Sequence, residues 1–453
     1  MKTKLTTKEY IVLASMLFGM FFGAGNLIFP VRMGQLAASN MWLAVIGFCI
    51  TGVGLPLLGI AALGISKSEG LFEMSSNVGK GFAYFFTCAL YLTIGPLFAI
   101  PRTATVSFQV GIRPFISDGA ETLALAAFSV AFFAVVLFFS LKPSGIITWI
   151  GRWLNPAFLI FLGILIVAVF VAPMESISKS APDATYAGSY GFVTGFLEGY
   201  NTMDALASLA FGIVLIDAIR RLGITSPKDI SLSTIKAGVL STILMVAIYC
   251  ALTVAGAQSR GVFGVSEDGG TALSLIADYY FHKLGAVILG MTITFACLKT
   301  AIALVTSCSE TFVKMFPGTL SYKAYAVLFS AVPLLLANVG LTNIIAYSIP
   351  VLVFLYPLTM VLIILGLAGN LFGYDKKVFA SAMVFTIATA LLDLLQALPE
   401  NVVSLLPSQL FEVVGVLKEN IPLSQHGMSW IVPAAIGLVI GLVLHMTCKK
   451  QQQ

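Results

Sequence analysis

Residues 20–30 interrupt the first long apolar run of the sequence with residue types that disfavour an unbroken helix. Gly23, Gly25, Asn26 and Pro30 fall within this stretch, and glycine and proline in a helix interior cost about 1 and about 3 kcal/mol relative to alanine. A break within a bilayer leaves backbone amides and carbonyls without partners, which is tolerated where they line a cavity inside the protein. Residues 20–30 are therefore predicted to form half of a binding site near the middle of the membrane.

A second interruption lies at residues 198–205, inside the sixth apolar run. Glu198, Gly199, Asn201 and Asp204 stand there, where apolar residues are expected. Charged residues within membrane helices are costly and usually mark functional positions. We expect this stretch to supply the other half of the site.

The two interruptions together offer partial charges of both signs. The N-terminus of a half-helix presents free amides that suit a carboxylate, whereas a C-terminus presents carbonyls that suit an ammonium group or a hard cation. The predicted contacts of a carboxylate are the amides of Ala24, Gly25 and Asn26. The predicted contacts of an amine are the carbonyls of Glu198, Gly199, Tyr200, Asn201 and Thr202. A site with both ends is suited to a zwitterion, and hence to an amino acid.

Three residues of the eighth apolar run could hold a cation. Ala303, Thr306 and Ser307 have the i, i+3, i+4 spacing that places them on one helix face. A carbonyl and two hydroxyls there, with the carbonyls of Gly19 and Phe22, would supply the oxygen ligands that hard cations prefer. Na⁺ or Li⁺ is the cation predicted for this set. The alternative is that both hydroxyls bond to their own helix backbone or to a neighbouring helix.

Long apolar helices must position these residues. The 453-residue chain is 58% hydrophobic and 10% charged, with a mean hydropathy of +0.99, whereas soluble domains carry about 25% charged residues. Many runs reach the roughly 20 residues that a helix needs to cross hydrocarbon, which predicts an all-α integral membrane protein. Twelve transmembrane helices are expected, at about 9–33, 41–65, 82–111, 121–141, 146–172, 190–219, 234–257, 285–315, 323–338, 342–367, 378–398 and 428–447.

The basic residues and the spacing of the interruptions predict the topology. Seventeen lysines and arginines fall in the segments predicted to be cytoplasmic and six in the outer ones, which places both termini in the cytoplasm. The interruptions lie five spans apart, so the halves that contain them enter the membrane from opposite sides. This favours a 5+5 inverted repeat, at about 9–172 and 190–367, plus two extra helices at about 378–447, within a single transmembrane domain of residues 1–453.

The segment from Gly23 to Pro30 resembles the broken first helix of sodium-coupled amino-acid transporters with the LeuT fold. Together with residues 198–207, it makes the whole chain similar to the branched-chain amino acid:cation symporter family, BrnQ. The resemblance implies a multi-pass protein of the bacterial inner membrane that imports leucine, isoleucine and valine on a cation gradient. It also implies that Gly19, Phe22 and the eighth-run trio match the sodium ligands of that fold. Na⁺ is therefore the expected coupling ion; a proton-coupled or a broader neutral amino-acid transporter is the alternative.

Several buried polar and aromatic residues keep more than one interpretation. Lys299 could pair with a carboxylate of the sixth span or stand in for a cation, and Arg102 could lock the helices together or contact substrate. Asp204 could meet the substrate amine, line a vestibule or support unwound backbone. The expected contributors to an apolar pocket for a branched side chain are Tyr91, Phe98, Leu206 and Phe211.

Other classes of protein are disfavoured by what the sequence contains. It has no Walker sequence, no His-rich metal pattern and no Gly-x-Ser-x-Gly motif, so neither an enzyme nor a bound cofactor is predicted. A channel would need a continuous polar pore, which isolated interruptions do not supply. The net charge of +5 comes from basic loops and does not indicate nucleic acid. The expected partners are the small-molecule substrate and the lipid bilayer, with no obligate protein partner evident.

Overall fold

The computed structural model of the chain describes residues 4–142 and 147–451. The regular elements in these two ranges are helices. The α-helices are α1 Thr7–Phe21, α2 Ala24–Ala37, α3 Met41–Cys49, α4 Leu55–Ile65, α5 Leu71–Ser75, α6 Lys80–Leu92, α7 Ala99–Gly111, α8 Glu121–Ser140, α9 Asn155–Val171, α10 Tyr190–Glu198, α11 Asp204–Arg221, α12 Pro227–Phe263, α13 Gly269–Phe281, α14 Lys283–Met315, α15 Tyr322–Ala337, α16 Leu341–Ala368, α17 Lys376–Gln396, α18 Glu400–Val403, α19 Ser408–Glu419 and α20 Ile431–Gln451. Three π-helical segments join longer helices, at Ile50–Gly54, Thr93–Leu97 and Ile147–Leu154.

Nine helical stretches of the described residues are long and apolar enough to cross a membrane, and Tyr322–Ala337 and Ile431–Thr447 are shorter apolar helices. Predicted spans one and two overlap one nearly continuous stretch, Ala24–Ile65. The predicted start of the fifth span, residue 146, lies outside the described residues. Large apolar side chains on α8 and α9 point outward, such as Leu123 and Val171, each 77% exposed. Such surfaces suit contact with lipid chains.

The first predicted interruption is present between α1 and α2. Thr6 and Glu9 form a capping box that starts α1, with the Glu9 amide 3.3 Å from Thr6 Oγ1. The helix then ends because Phe22 (ψ 90°) and Gly23 (ψ −162°) leave helical geometry, and α2 begins at the next residue. The amides of the first turn of α2 are therefore free of helical partners.

The second predicted interruption is present between α10 and α11. Gly199–Thr202 forms a 3₁₀ turn, and Met203 adopts the left-handed conformation (φ 63°, ψ 11°) before α11 begins at Asp204. A left-handed non-glycine residue costs about 1–2 kcal/mol. Strain of this kind is kept at functional sites, where the surrounding structure holds it in place.

The helices pack in two groups, one of which contains both interruptions. In the first group, which we call the bundle (α1–α4 and α10–α12), α2 packs on α12 and α3 on α10. The backbones approach closely at Gly34 and Gly256, where an added Cβ would meet the carbonyls of Thr253 and Val31; small residues commonly allow such approach in membranes. In the second group, the scaffold (α6–α8, α14 and α15), α14 packs on α7, α8 and α15.

Candidate substrate site

A central cavity lies where the two interruptions meet, between the bundle and the scaffold. Its volume is about 30 Å³, room for roughly one water. Its polar lining includes Asn26, Arg102, Thr103, Thr202, Asp204 and Thr300 with the backbone of Ala24 and Gly25, and its apolar lining includes Ile94, Ala207, Phe211 and Leu304. This volume is smaller than an amino acid, so the bundle and the scaffold must separate before one can enter.

Asn26 connects the two interruptions. Its side-chain oxygen accepts a hydrogen bond of 2.9 Å from the Gly23 amide, which replaces a partner lost at the break. Its side-chain nitrogen donates to Asp204 Oδ2 at 2.5 Å and to the hydroxyl of Tyr249 on α12. The N-terminus of α2 is thus held against both α11 and α12.

Asp204 is the buried carboxylate of the cavity wall, with 2% of its surface exposed. As the first residue of α11 it lies at a helix N-terminus, where the helix dipole favours negative charge. Its Oδ2 also accepts a hydrogen bond of 3.1 Å from Tyr249, and its amide donates to Thr202 Oγ1 at 3.4 Å. The Asp204 carboxylate thus lines the cavity and accepts hydrogen bonds from side chains of α2 and α12, and its contact with a substrate amine stays a prediction.

Arg102, on α7, supplies the positive charge of the cavity. It is 5% exposed, and its Nη2 lies 3.1 Å from the position that a Cβ on Gly25 would take. Its guanidinium carbon is 5.5 Å from the centre of the Phe29 ring, and Asp204 is the carboxylate whose charge acts on it. The guanidinium and the N-terminus of α2 therefore form one region that favours an anion.

Four of the eight predicted substrate residues line the central cavity: Ala24, Gly25, Asn26 and Thr202. Glu198, Tyr200 and Asn201 instead line a separate cavity of about 380 Å³ beside α16 and α17. Gly199 packs against α3, and its carbonyl accepts a hydrogen bond of 2.8 Å from Thr202 Oγ1. The 3₁₀ turn lies at this division: three of the predicted residues line the other cavity, and the Gly199 carbonyl already accepts a hydrogen bond.

Helix α14 meets the first interruption through Thr300, whose hydroxyl donates to the Met20 carbonyl at 3.1 Å. Ser307 lies about 10 Å further along the helix, since each residue adds about 1.5 Å. Its hydroxyl donates to the Ala210 carbonyl of α11 at 2.6 Å. For Ser307 the structure thus shows the alternative interpretation, a hydrogen bond to a neighbouring helix.

The five predicted cation ligands stay a prediction, and the structure shows where the helices that carry them meet. Gly19 and Phe22 lie at the end of α1, whereas Thr306 and Ser307 lie beyond the point where α14 meets that end. Helical periodicity makes two positions on α14 equivalent by pattern, because residues seven apart are separated by about two turns and lie on nearly the same helix face. Sequence spacing alone cannot distinguish Ala303, Thr306 and Ser307 from the same pattern seven residues earlier.

That earlier pattern is Ala296, Lys299 and Thr300, and its middle residue is a buried lysine. Lys299 is 0% exposed, and its Nζ donates to Asn155 Oδ1 of α9 at 2.9 Å. Within the described ranges no carboxylate lies at ion-pair distance from this ammonium. Of the two interpretations of Lys299, the expected ion pair with a sixth-span carboxylate is not what the structure shows.

Sequence reasoning did not single out Tyr249, Thr300 or Asn155. A lone tyrosine, threonine or asparagine in an apolar run is commonly a packing residue, so none of them stood out. The available signals were weak: Thr300 follows Lys299 directly, and Asn155 precedes Pro156 in an otherwise apolar segment. Only the tertiary contacts identify them.

Known proteins resemble this chain in both sequence and fold. The sequence model of a family described as branched-chain amino acid transport proteins matches residues 6–448. The branched-chain amino acid permease BrnQ of Lactobacillus delbrueckii subsp. lactis is 47% identical, with 100% of each chain covered. BrnQ of Bacillus subtilis is 39% identical, with 98% of each covered. Among solved structures, the nucleobase-cation-symport-1 family transporter Mhp1, in a closed conformation, has a TM-score of 0.59 at 12% identity and covers 98% of this chain and 93% of its own, a similarity of fold.

Proposed function

The chain belongs to the family of branched-chain amino acid transport proteins, and we propose that it imports leucine, isoleucine and valine in symport with a monovalent cation. The charge arrangement of the central cavity carries this proposal. Arg102 and the amides of Ala24 to Asn26 suit a carboxylate, while Asp204 suits an amine. The apolar wall formed by Ile94, Phe211 and Leu304 suits a branched hydrocarbon side chain.

The proposed setting is a bacterial inner membrane, crossed twelve times with both termini in the cytoplasm. The excess of basic residues in the predicted cytoplasmic segments supports this orientation. Two interrupted helices, five predicted spans apart, support an inverted repeat of five spans followed by two extra helices. Import then proceeds by alternating movement of the bundle against the scaffold, with the substrate between them.

Na⁺ is the coupling ion that the family resemblance favours, and Li⁺ would use the same oxygen ligands. A proton is the second candidate. The observation that favours it is Lys299, an ionisable group where α14 reaches the first interruption. A transporter of broader neutral amino-acid specificity would share the same cavity chemistry, so substrate range needs direct measurement.

Uptake of radiolabelled leucine into proteoliposomes tests the proposal. We expect uphill accumulation when a cation gradient is imposed, with inhibition by isoleucine and valine and little inhibition by glutamate or lysine. Na⁺, Li⁺ and pH gradients are imposed one at a time to identify the ion. Absence of leucine uptake under all three gradients would contradict the proposed function, and uptake that follows the pH gradient alone would replace Na⁺ by a proton.

The predicted sodium ligands have a test of their own. If Thr306 and Ser307 hold Na⁺, Thr306→Ala and Ser307→Ala raise the Na⁺ concentration needed for half-maximal uptake about tenfold or more. An unchanged Na⁺ requirement in both variants removes these residues from the ion site.

A further inference from the structure

Lys299 is a fully buried cation whose surroundings are neutral. Its Nζ donates to Asn155 Oδ1 at 2.9 Å and lies 3.6 Å from the centre of the Phe158 ring and 5.5 Å from that of Phe18. Among the described residues, its titratable neighbour on the same helix is the thiol of Cys297. Two aromatic faces and an amide oxygen are groups that attract a cation without neutralising it.

This ammonium lies in a crevice formed by the end of α1, the start of α9 and the middle of α14, which we call the α1–α14 crevice. Asn155 connects the three helices, since its side-chain nitrogen donates to Ser15 Oγ on α1 at 2.8 Å. An added Cβ on Gly19 would lie 3.4 Å from the Asn155 side chain. Thr300, which follows Lys299 in the sequence, donates its hydroxyl to the Met20 carbonyl at 3.1 Å. The crevice is thus the point at which the broken first helix meets the scaffold.

A lysine in this position costs stability. A charged side chain at the centre of a membrane helix costs about 2.5–3.5 kcal/mol on insertion scales, and such residues are usually functional. Cation–π contacts return about 0.5–2 kcal/mol each, while a methionine or leucine of similar length would pack there without this cost. The two ring contacts and the hydrogen bond to Asn155 offset much of this cost, but an apolar residue would avoid it, so Lys299 is a candidate for a role beyond packing.

We infer that the ammonium of Lys299 is a tethered cation that occupies the α1–α14 crevice in place of a mobile Na⁺. The spacing of Ala296, Lys299 and Thr300 equals that of the three residues predicted to bind Na⁺, and the ammonium lies between Asn155 on α9 and the ring of Phe18 on α1. Lys299 is accordingly a positioning residue for α1, and it excludes free monovalent cations from this crevice. The inference rests on the proposed function, because it concerns the ion step of a cation-coupled transporter.

Replacing the lysine by a small hydroxyl residue tests the inference. Lys299→Ser removes the ammonium and leaves the Ser and Thr300 hydroxyls, the Met20 carbonyl and the Asn155 amide as oxygen ligands. We expect leucine affinity of this variant in detergent to rise about tenfold or more when Na⁺ replaces choline. This gain should exceed that of the wild type, and Lys236→Ser should match the wild type; Lys236 is a matched control, since its Nζ also lies over an aromatic ring, 5.7 Å from the centre of Tyr10.

The wild-type chain supplies a second measurement, for the case in which Lys299→Ser does not fold. Equilibrium binding of ²²Na⁺ is compared between wild type and Thr300→Val, which removes one hydroxyl at nearly constant volume. If the inference is right, the wild type and Thr300→Val bind equal amounts of ²²Na⁺, or neither binds it. Saturable ²²Na⁺ binding that Thr300→Val abolishes would overturn it, as would a Lys299→Ser protein that binds leucine without any gain in Na⁺ response. Failure of the proposed function is distinct, because the wild type would then bind no leucine under any condition.

Discussion

At the scale of single residues, Arg102 and Asp204 give the central cavity one positive and one negative group. Both are almost fully buried, and they come from helices far apart in sequence. Both line one small cavity, so it presents groups that suit the two charged ends of an amino acid. This pairing predicts that each group contacts a different end of the substrate.

Arg102→Gln is expected to weaken leucine binding through loss of the carboxylate contact. Hydrogen bonds to charged groups contribute about 1.5–3 kcal/mol, so affinity should fall roughly 10- to 100-fold. Leucinol lacks the carboxylate, and the preference of the wild type for leucine over leucinol should shrink in the variant. Calorimetry with both ligands measures this, with the exposed Arg221→Gln as the control; an undiminished preference would assign Arg102 to helix packing instead.

Asp204→Asn is expected to weaken the amine contact while keeping a side chain that can still accept from Asn26. Leucine affinity should fall by a similar factor, whereas binding of 4-methylpentanoate, which lacks the amine, should change little. Tyr249→Phe removes one donor to Asp204 and keeps the ring, so its effect should be smaller. Equal losses for both ligands in Asp204→Asn would show a structural defect rather than a lost amine contact.

At the scale of elements, one backbone oxygen of α11 accepts hydrogen bonds from two helices of the scaffold. The Ala210 carbonyl accepts hydrogen bonds from Tyr91 on α6 at 3.0 Å and from Ser307 on α14 at 2.6 Å. The hydrogen bond within α11 uses one of the two lone pairs of this carbonyl, so the two hydroxyls share the other. These contacts join the bundle to the scaffold next to the central cavity.

Ser307→Ala is expected to favour separation of α11 from the scaffold. One hydrogen bond contributes about 1 kcal/mol, so the open population should rise about fivefold. Maleimide labelling of a Leu304→Cys reporter in the cavity, in a chain without other cysteines, measures this opening. Ser309→Ala is the control, because Ser309 donates to the Val305 carbonyl of its own helix at 2.6 Å; equal labelling rates in both variants would contradict a closing role for Ser307.

At the scale of the whole molecule, the small central cavity and the two helix groups imply movement between the bundle and the scaffold. Paired glycines let α2 pack closely on α12 inside the bundle. The scaffold has a similar approach, where a Cβ on Gly95 would meet the Cys308 sulfur of α14 at 2.8 Å. Contacts within each group should persist during transport, whereas contacts between the groups should break.

Engineered disulfides test whether the bundle moves against the scaffold during transport. A Cβ on Gly23 would lie 3.3 Å from Thr300 Cβ, close to disulfide geometry, so Gly23→Cys with Thr300→Cys joins the bundle to the scaffold. Oxidation is expected to abolish leucine uptake by this pair, and a reductant to restore it. Gly95→Cys with the native Cys308 links two parts of the scaffold and should keep its uptake when oxidised; loss of uptake there would place the moving boundary elsewhere.

The features that depend on local composition could be predicted from the sequence alone. Apolar length predicted membrane helices, and the residues at 20–30 and 198–205 predicted both interruptions, because glycine, proline and buried charge disfavour an unbroken helix wherever they occur. These same residues placed Ala24, Gly25, Asn26 and Thr202 at the site.

Which residues of other helices lie near the interruptions depends on tertiary packing. Helical periodicity leaves the register of α14 open by two turns, and packing against α1 and α9 brings Lys299 and Thr300 to the end of α1, whereas Ser307 contacts α11. The 3₁₀ turn after Glu198 likewise directed three predicted contacts into another cavity. Long-range packing makes these choices, since residues seven apart on a helix have nearly the same direction but lie about 10 Å apart.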